Sequence, residues 1–324
     1  MILVFGDLHF YDGIVGYHKN YEENTLMVMD SIITTVKEGL DDLDESLNEQ
    51  LYVVFTMDLS GVKPSAKKFR TKNYSLKVYK FFQTLNELTN GNVYGVKGNH
   101  DFSATDLSEL DYYIGLGLIR MVDYFDSRVD NTRLHLFSYG DKLQHAHLHE
   151  EFMNIAVTHH NLSMEGVKFP FYAGEPIMIE PTCLANMDMI FGGHIHYPVS
   201  TVGRTMENGK SCSLAYLGCP TRPAYDKNLW NYYYVGVVSH GDYFLHTVEL
   251  PDWKDVFDLT ALEDPEIYSE YGNVENEDLL KLVETLVGYD DEFYQDIGKQ
   301  IEQIPGYSEE VRQLAKEYYE RHTV

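Results

Sequence analysis

Apolar residues along the first half of the chain come in two rhythms. Ile2 to Phe5, Leu51 to Phe55 and Val93 to Val96 are short unbroken runs, the form of strands buried on both faces. Between them Leu26, Met29, Ile33, Val36 and Leu40 recur every three or four residues, which makes one apolar face of a helix. Leu76, Tyr79, Phe82, Leu85 and Leu88 predict a second helix. The order is therefore strand, helix, strand, helix, strand. A further helix is expected from Leu107 to Ile119, ending near Gly115 or Gly117. More strands are expected at Leu134 to Tyr139, Asn154 to Thr158 and Met187 to Phe191. Ser213 to Leu217, Tyr232 to Val238 and Tyr243 to Leu250 predict additional strands and, with them, a second sheet. The connection from Asn161 to Asn186 is long and carries little pattern of its own, a feature of functional loops. Composition shifts at Pro251-Asp252, and helices are expected near 276–287, 290–303 and 308–321. Two regions follow from this, 1–250 and 251–324, with no internal repeat or low-complexity segment.

The polar residues are concentrated where the strands stop. Asp7 and His9 follow the first run, Asp58 the second, and Gly98-Asn99-His100-Asp101 the third. His159-His160 follows Asn154 to Thr158, and Gly192-Gly193-His194-Ile195-His196 follows the next strand. An Asx-rich turn would account for Gly98 to Asp101 taken alone. However, ligands of open α/β sheets bind beyond the carboxyl ends of the strands, so these clusters would share one edge. Two residues apart in extended backbone point the same way, which lets Asp7 and His9, or His194 and His196, reach one ion. The run His145-Ala146-His147-Leu148-His149 has the same alternation, but no preceding strand delivers it to that edge, and it reads as a solvated loop or helix start.

Charge changes the picture only locally. The 324 residues carry a formal charge of −26, which argues against a general nucleic-acid binder. Residues 251–324 hold 20 Asp and Glu against 6 Lys and Arg, so much of the excess sits in the acidic helical tail. Lys63 to Lys80 is the exception, with Lys63, Lys67, Lys68, Arg70, Lys72, Lys77 and Lys80 and no acid. Its plain reading is a solvated loop and helix face. Cys183, Cys212 and Cys219 show no paired spacing, which argues against a thiolate zinc site and a disulfide framework and points to a reducing, cytoplasmic setting. No run has the length of a membrane span or the form of a signal peptide.

Taken in order, D-x-H, D, G-N-H-D, H and G-H-x-H resemble the signature set of the calcineurin-like metallophosphoesterases, over residues 1 to about 200. The resemblance implies an α/β fold, a four-layer double β-sheet sandwich flanked by helices, followed here by a small acidic helical C-terminal region. It also implies two divalent metal ions, manganese first, with iron or zinc as alternatives. Asp7, His9, Asp58 and His196 would hold one ion. Asp58 as the bridge, Asn99, His159 and His194 would hold the other. Such a pair clamps an in-line displacement at phosphorus and acidifies water. His100 would act at the leaving or phosphoryl oxygen, with Asp101 orienting it. His160 fits a supporting role better than ligation.

Asp58 is followed by Leu59-Ser60-Gly61 and the third motif ends in Asp101, which leans away from protein phosphatases. Gly6 to His9, Lys63-Pro64-Ser65, Tyr197-Pro198 and Gly218-Cys219-Pro220-Thr221-Arg222 make the chain most similar to SbcD-type repair nucleases, including phage relatives. That resemblance, over about residues 1–250, implies a DNA exonuclease or endonuclease in DNA repair and recombination. An SbcC-like ATPase subunit would be its partner. It leaves room for a homodimer and gives no membrane role. Lys63, Lys67, Lys68, Arg70 and Lys72 would then grip a duplex backbone. Three departures stand out. Met57 occupies a position where glycine is usual, so a different turn is expected there. Gly61 replaces the His or Asp common in repair nucleases, which counts against processive exonuclease action. The acidic tail does not resemble the usual cap, and reads as a reduced cap or a partner-docking segment. Two alternatives remain open: a small-molecule phosphodiesterase or phosphatase of the same superfamily, and a weakly catalytic binding subunit.

Overall fold

The structure is a computed structural model. It describes residues 1–10, 18–43, 50–59, 72–102, 108–127, 130–164, 176–200, 203–206, 209–223 and 230–257. The chain divides into two compact units, Met1–Asp258 and Leu259–Val324. The second unit, with the helices expected near 276–321, lies outside the described residues.

In chain order the first unit opens with β1 (Ile2–Phe5), α1 (Tyr21–Asp41), β2 (Tyr52–Phe55), α2 (Lys72–Leu88), β3 (Val93–Gly95) and α3 (Glu109–Gly115). Then come β4 (Tyr124–Ser127), β5 (Thr132–Phe137), β6 (Met153–Thr158), β7 (Leu162–Ser163), β8 (Ile177–Met178) and β9 (Met189–Gly192). The last elements are β10 (Val199–Ser200), β11 (Arg204–Thr205), β12 (Ser211–Tyr216), β13 (Tyr232–Ser239), β14 (Asp242–Glu249) and α4 (Trp253–Val256).

One sheet has the order β14-β13-β1-β2-β3, with β1, β2 and β3 parallel and β13 antiparallel to β1. The other runs β10-β12-β9-β6-β5-β4, with β11 also on β12, and its central strands β5, β6, β9 and β12 are parallel. The later strands therefore do not all build the second sheet: β12 joins it, whereas β13 and β14 return to the first. A β-strand's alternation records which faces are buried but not which sheet does the burying, so the pattern alone could not separate them.

Three apolar layers hold this arrangement. Ile2, Val4, Val54 and Val96 meet Leu134, Ile155, Val157 and Phe191 between the two sheets. The opposite face of the first sheet, with Leu3, Phe5, Val53 and Phe55, packs on Val28, Ile32 and Val36 of α1 and Val78, Phe82 and Leu85 of α2. Each such fully buried side chain contributes about 1.5–3 kcal/mol. The outer face of the second sheet is covered by Leu162, Ile179 and the short 3-10 turn Cys183–Asn186. Part of the long 161–186 connection is thus structured, as the parallel pair β7-β8. The helix α1 starts at Asn20, whose side chain accepts from the Glu23 N–H at 3.1 Å, with Glu22 and Glu23 set against the positive end of the helix dipole. No helix among the described residues is long and apolar enough to cross a membrane.

Candidate metal centre

The parallel pairing of β1 and β2 does not stop with the strands. Leu8, His9 and Phe10 N–H donate to the carbonyls of Met57, Asp58 and Leu59 at 2.9, 2.8 and 2.8 Å, which carries Asp7 and His9 alongside Asp58. The price is backbone strain: His9, Met57 and Asp58 have φ of 44°, 60° and 46°, the left-handed region that costs an L-residue about 1–2 kcal/mol. His194, at φ 71°, is a fourth such position. Strained residues of this kind persist where the surroundings over-determine them, and they cluster at functional sites. The turn before Asp58 is thus left-handed and made by Met57 in place of a glycine. Met57 is fully buried, and Gly95 leaves room for it: a Cβ on Gly95 would stand 2.3 Å from Met57 Cε.

Around these loops the polar side chains converge. Asp58 Oδ2 lies 3.1 Å from His159 Nε2 and 3.8 Å from His9 Nε2. His9 Nε2 and His196 Nε2 approach to 2.9 Å, and His196 Nε2 is 4.0 Å from Asp7 Oδ2. Asn99 Oδ1 is 3.1 Å from both His159 Nε2 and His194 Nδ1. All seven residues singled out as ligands are therefore neighbours, although they come from five separate stretches of chain. Two triads have donor atoms within 4.8 Å of one another, Asp7 with His9 and His196, and Asp7 with Asp58 and His159. Asp7 is the member common to both.

Supporting groups fix these side chains. The Thr56 carbonyl accepts from His159 Nδ1 at 2.8 Å, which fixes the ring with Nε2 facing inward toward Asp58. Asp7 accepts from the Thr56 hydroxyl at 2.6 Å and from the His194 N–H at 2.8 Å. Asp58 Oδ1 accepts from the His100 N–H at 2.8 Å. Asp101 Oδ1 and Oδ2 accept from the Leu59 and Gly98 N–H at 2.9 and 3.0 Å, so this buried carboxylate ties the second loop to the third. The segment from Gly218 to Arg222 clamps from behind. Cys219 N–H donates to the His196 carbonyl at 2.9 Å, and the Thr221 hydroxyl to the Leu8 carbonyl at 2.9 Å. Tyr21, at the start of α1, donates its hydroxyl to the His9 carbonyl at 2.8 Å. Sequence reasoning missed Thr56 and Tyr21: a backbone carbonyl has no sequence signature, and a tyrosine in a helix first reads as core.

Three of the four imidazoles are already in the form that ligation needs. Burial lowers His9 well below the ordinary imidazole value and brings His194 and His196 to about 4, so these rings are neutral, as ligands must be. Burial also disfavours the charged form of His159, but Asp58 and Asp7 outweigh it and raise the ring to about 10. Burial raises Asp7 to about 7 with a further push from Asp58, partly offset by His159. Asp58 itself is lowered, because His159 and His9 outweigh its burial. Three neutral imidazoles, two buried carboxylates and an amide oxygen facing one another, with His159 holding a proton between the carboxylates, are a donor set that a divalent cation would satisfy once it displaces that proton. The residues fit divalent metal ions.

His160 and the His145–His149 run stand outside this donor set. His160 Nδ1 meets the Thr158 hydroxyl at 2.6 Å. His149 stacks on Phe152 at 4.1 Å, and the His147 carbonyl accepts from Arg133. Neither belongs to a metal-capable group among the described residues. Lys63, Lys67, Lys68, Arg70 and Gly61 lie outside the described residues, and Lys72 is the first residue of α2. Lys77 pairs with Glu22 at 2.8 Å.

No curated protein matches the chain. Among solved structures, TT1561 of Thermus thermophilus is similar at 10% identity and a TM-score of 0.41, covering 76% of this chain and 97% of its own. The solution structure of Thermotoga maritima protein TM1076 aligns at 12% identity and a TM-score of 0.24, over 63% of this chain and 84% of that one. The family model of the calcineurin-like phosphoesterases matches residues 1–198, the stretch that supplies every donor described above. The chain belongs to the calcineurin-like phosphoesterases.

Proposed function

We propose that this phosphoesterase is a two-metal phosphodiesterase acting on DNA, a nuclease of the SbcD type. The observation that carries the two-metal part is the meeting of Asp7, His9, Asp58, Asn99, His159, His194 and His196 at the ends of β1, β2, β3, β6 and β9. Asp7, His9, Asp58 and His196 would hold one cation, and Asp58, Asn99, His159 and His194 the second, manganese being the first choice. Bound cations of this kind supply Lewis acidity at phosphorus and an acidified water. The protein's own part is positioning. His159 is held by Thr56, Asp58 by the His100 N–H, and the two loops by Asp101, so little reorganisation is left for the reaction.

His100 is half-buried, its ring 5.5 Å from that of His9, and it is not among the proposed ligands. It is placed to give a proton to the leaving oxygen or to stabilise charge on a phosphoryl oxygen. DNA as substrate is supported by the basic run Lys63 to Lys80 directly after the second metal motif and by the SbcD-like segments, in particular Gly218 to Arg222. The same likeness supports an SbcC-like ATPase partner and work in the cytoplasm. The test is hydrolysis by purified protein with manganese. Cleavage of single- or double-stranded DNA supports the nuclease, and intact DNA beside a cleaved small phosphodiester removes it. The second reading, a small-molecule phosphodiesterase, is favoured by the charge of −26, and a steep salt dependence of DNA binding would count against it.

A further inference from the structure

We infer that Phe102 and Tyr139 form a stacking platform for the nucleobase next to the scissile phosphate. The inference rests on reading the site as a phosphodiesterase of nucleic acid and names the part of the substrate that this face of the site would take.

Tyr139 follows β5, and its ring lies beside His159 and His194 of the metal centre. The centroid is 6.3 Å from the His160 ring at an interplanar angle of 24°, 5.8 Å from His194 and 6.3 Å from His159. Three imidazoles stand within 6.3 Å of the phenol, yet the residue remains 43% exposed. Phe102 comes directly after the Asn99–Asp101 turn, is 46% exposed, and has its ring 6.5 Å from that of Tyr139 at an interplanar angle of 56°, so a base stacked on one ring would meet the other at a tilt. Aromatic residues that serve packing here are buried: Tyr74, Tyr113, Phe82 and Phe191 are at most 1% exposed.

The exposed pair is also rigidly mounted. Tyr139 N–H donates to the Lys97 carbonyl at 2.8 Å, Lys97 N–H to the Ser138 hydroxyl at 3.0 Å, and Ser138 N–H to Asp141 at 2.7 Å. Lys97 Nζ is itself engaged with Asp111 and lies 5.6 Å from the Phe102 centroid. Phe102 directly follows that turn and Tyr139 is tied to Lys97, two residues before it, so both rings are fixed relative to Asn99 and His100. A methyl or other aliphatic ester gains little from two open π-faces. A base gains from stacking, whatever its identity, because every base has a π-face.

The experiment compares two esters that share a leaving group, thymidine 5′-(p-nitrophenyl phosphate) and methyl p-nitrophenyl phosphate, on the full chain with manganese. Wild type should prefer the thymidine ester. Phe102→Leu and Tyr139→Leu should each lower the thymidine-to-methyl ratio of kcat/KM about tenfold, mainly through KM, the scale of one lost stacked base. Tyr139→Trp should preserve the ratio. A ratio unchanged in both leucine variants overturns the inference, as does an equal fall for the two esters, which would make Tyr139 a mere cover for the imidazoles. A second readout needs no turnover. Fluorescence of 2-aminopurine deoxyriboside 5′-monophosphate should be quenched by wild type and not by the Phe102→Leu/Tyr139→Leu double variant, and absence of quenching by wild type overturns the platform. If wild type cleaves neither ester nor DNA, the hydrolase reading fails separately, and the quenching still decides this one.

Discussion

Gly98→Ala adds one methyl group at a position where the backbone is ordinary, φ −84° and ψ 173°, so no conformational penalty accompanies it. The new Cβ would stand 1.9 Å from Asp58 Oδ1, 2.4 Å from its Cγ and 2.7 Å from its backbone nitrogen. Carbon and oxygen in contact sit about 3.3–3.6 Å apart, so the carboxylate or the loop must yield by more than about 1 Å. Asp58 has no slack, because Oδ1 accepts the His100 N–H and Oδ2 faces His159. Losing that charge-assisted bond costs about 1.5–3 kcal/mol, and a displacement near 1 Å at a reacting centre costs about 10²-fold in rate. The expected variant is folded, binds manganese at least about tenfold more weakly and turns over a small diester about 10²-fold more slowly. Calorimetric titration of manganese beside hydrolysis of bis(p-nitrophenyl) phosphate reads both, and a thermal melt checks the fold. Gly115→Ala is the control: the site at the end of α3 has nothing within 4 Å, so the change should be neutral or slightly stabilising. A Gly98→Ala protein with wild-type metal affinity and rate would refute the placement of Asp58.

Three other outcomes are expected. Asp58→Asn should lower metal content and turnover together, whereas His100→Ala should keep the metal and lose about 10²-fold or more in rate; metal analysis beside turnover for both variants exposes an error in either role. Met57→Gly would relieve about 1–2 kcal/mol of left-handed strain but vacate a fully buried side chain, worth about 2–5 kcal/mol, so its urea midpoint should fall, and a rise would show that packing against Gly95 is unimportant. His159 is raised to about 10 in the metal-free protein, so the stability from its pairing with Asp58 is full below the ordinary imidazole value and fades as pH rises through about 10. Metal must displace that proton, so apparent affinity should tighten about tenfold per pH unit between pH 7 and 9, and a flat profile in the titration would contradict it.

Much of this centre is legible in the sequence because a doubly buried strand leaves a plain mark. Ile2 to Phe5 and Tyr52 to Phe55 are continuous apolar runs, and a carboxylate follows each within three residues. Helix α1 is equally plain from its three-and-four spacing. The strand β4 is not, since Tyr124 to Ser127 is a half-exposed edge with one buried residue and no apolar run. Nor can the return of β13 beside β1 be read, because that pairing depends on contacts between residues more than two hundred apart in the chain, such as Ile2 with Val238. The supports of the centre are hidden for a related reason. Thr56 works through its carbonyl as well as its hydroxyl, and the Thr221 hydroxyl and the Cys219 N–H reach the backbone carbonyls of Leu8 and His196, which leave no mark in the sequence. Met57 shows the limit of a local rule: the sequence suggests that a residue other than glycine avoids left-handed backbone, and the packing against Gly95 overrides it.

The central claim is that donors from five stretches of one chain share a pair of cations. The most direct measurement is the metal content of protein stripped, reloaded with manganese and desalted, read by mass spectrometry per mole of chain. Two ions per chain in the wild type, falling in Asp58→Asn, is the predicted result. A protein that retains no stoichiometric metal, or loses none on that substitution, would contradict the account.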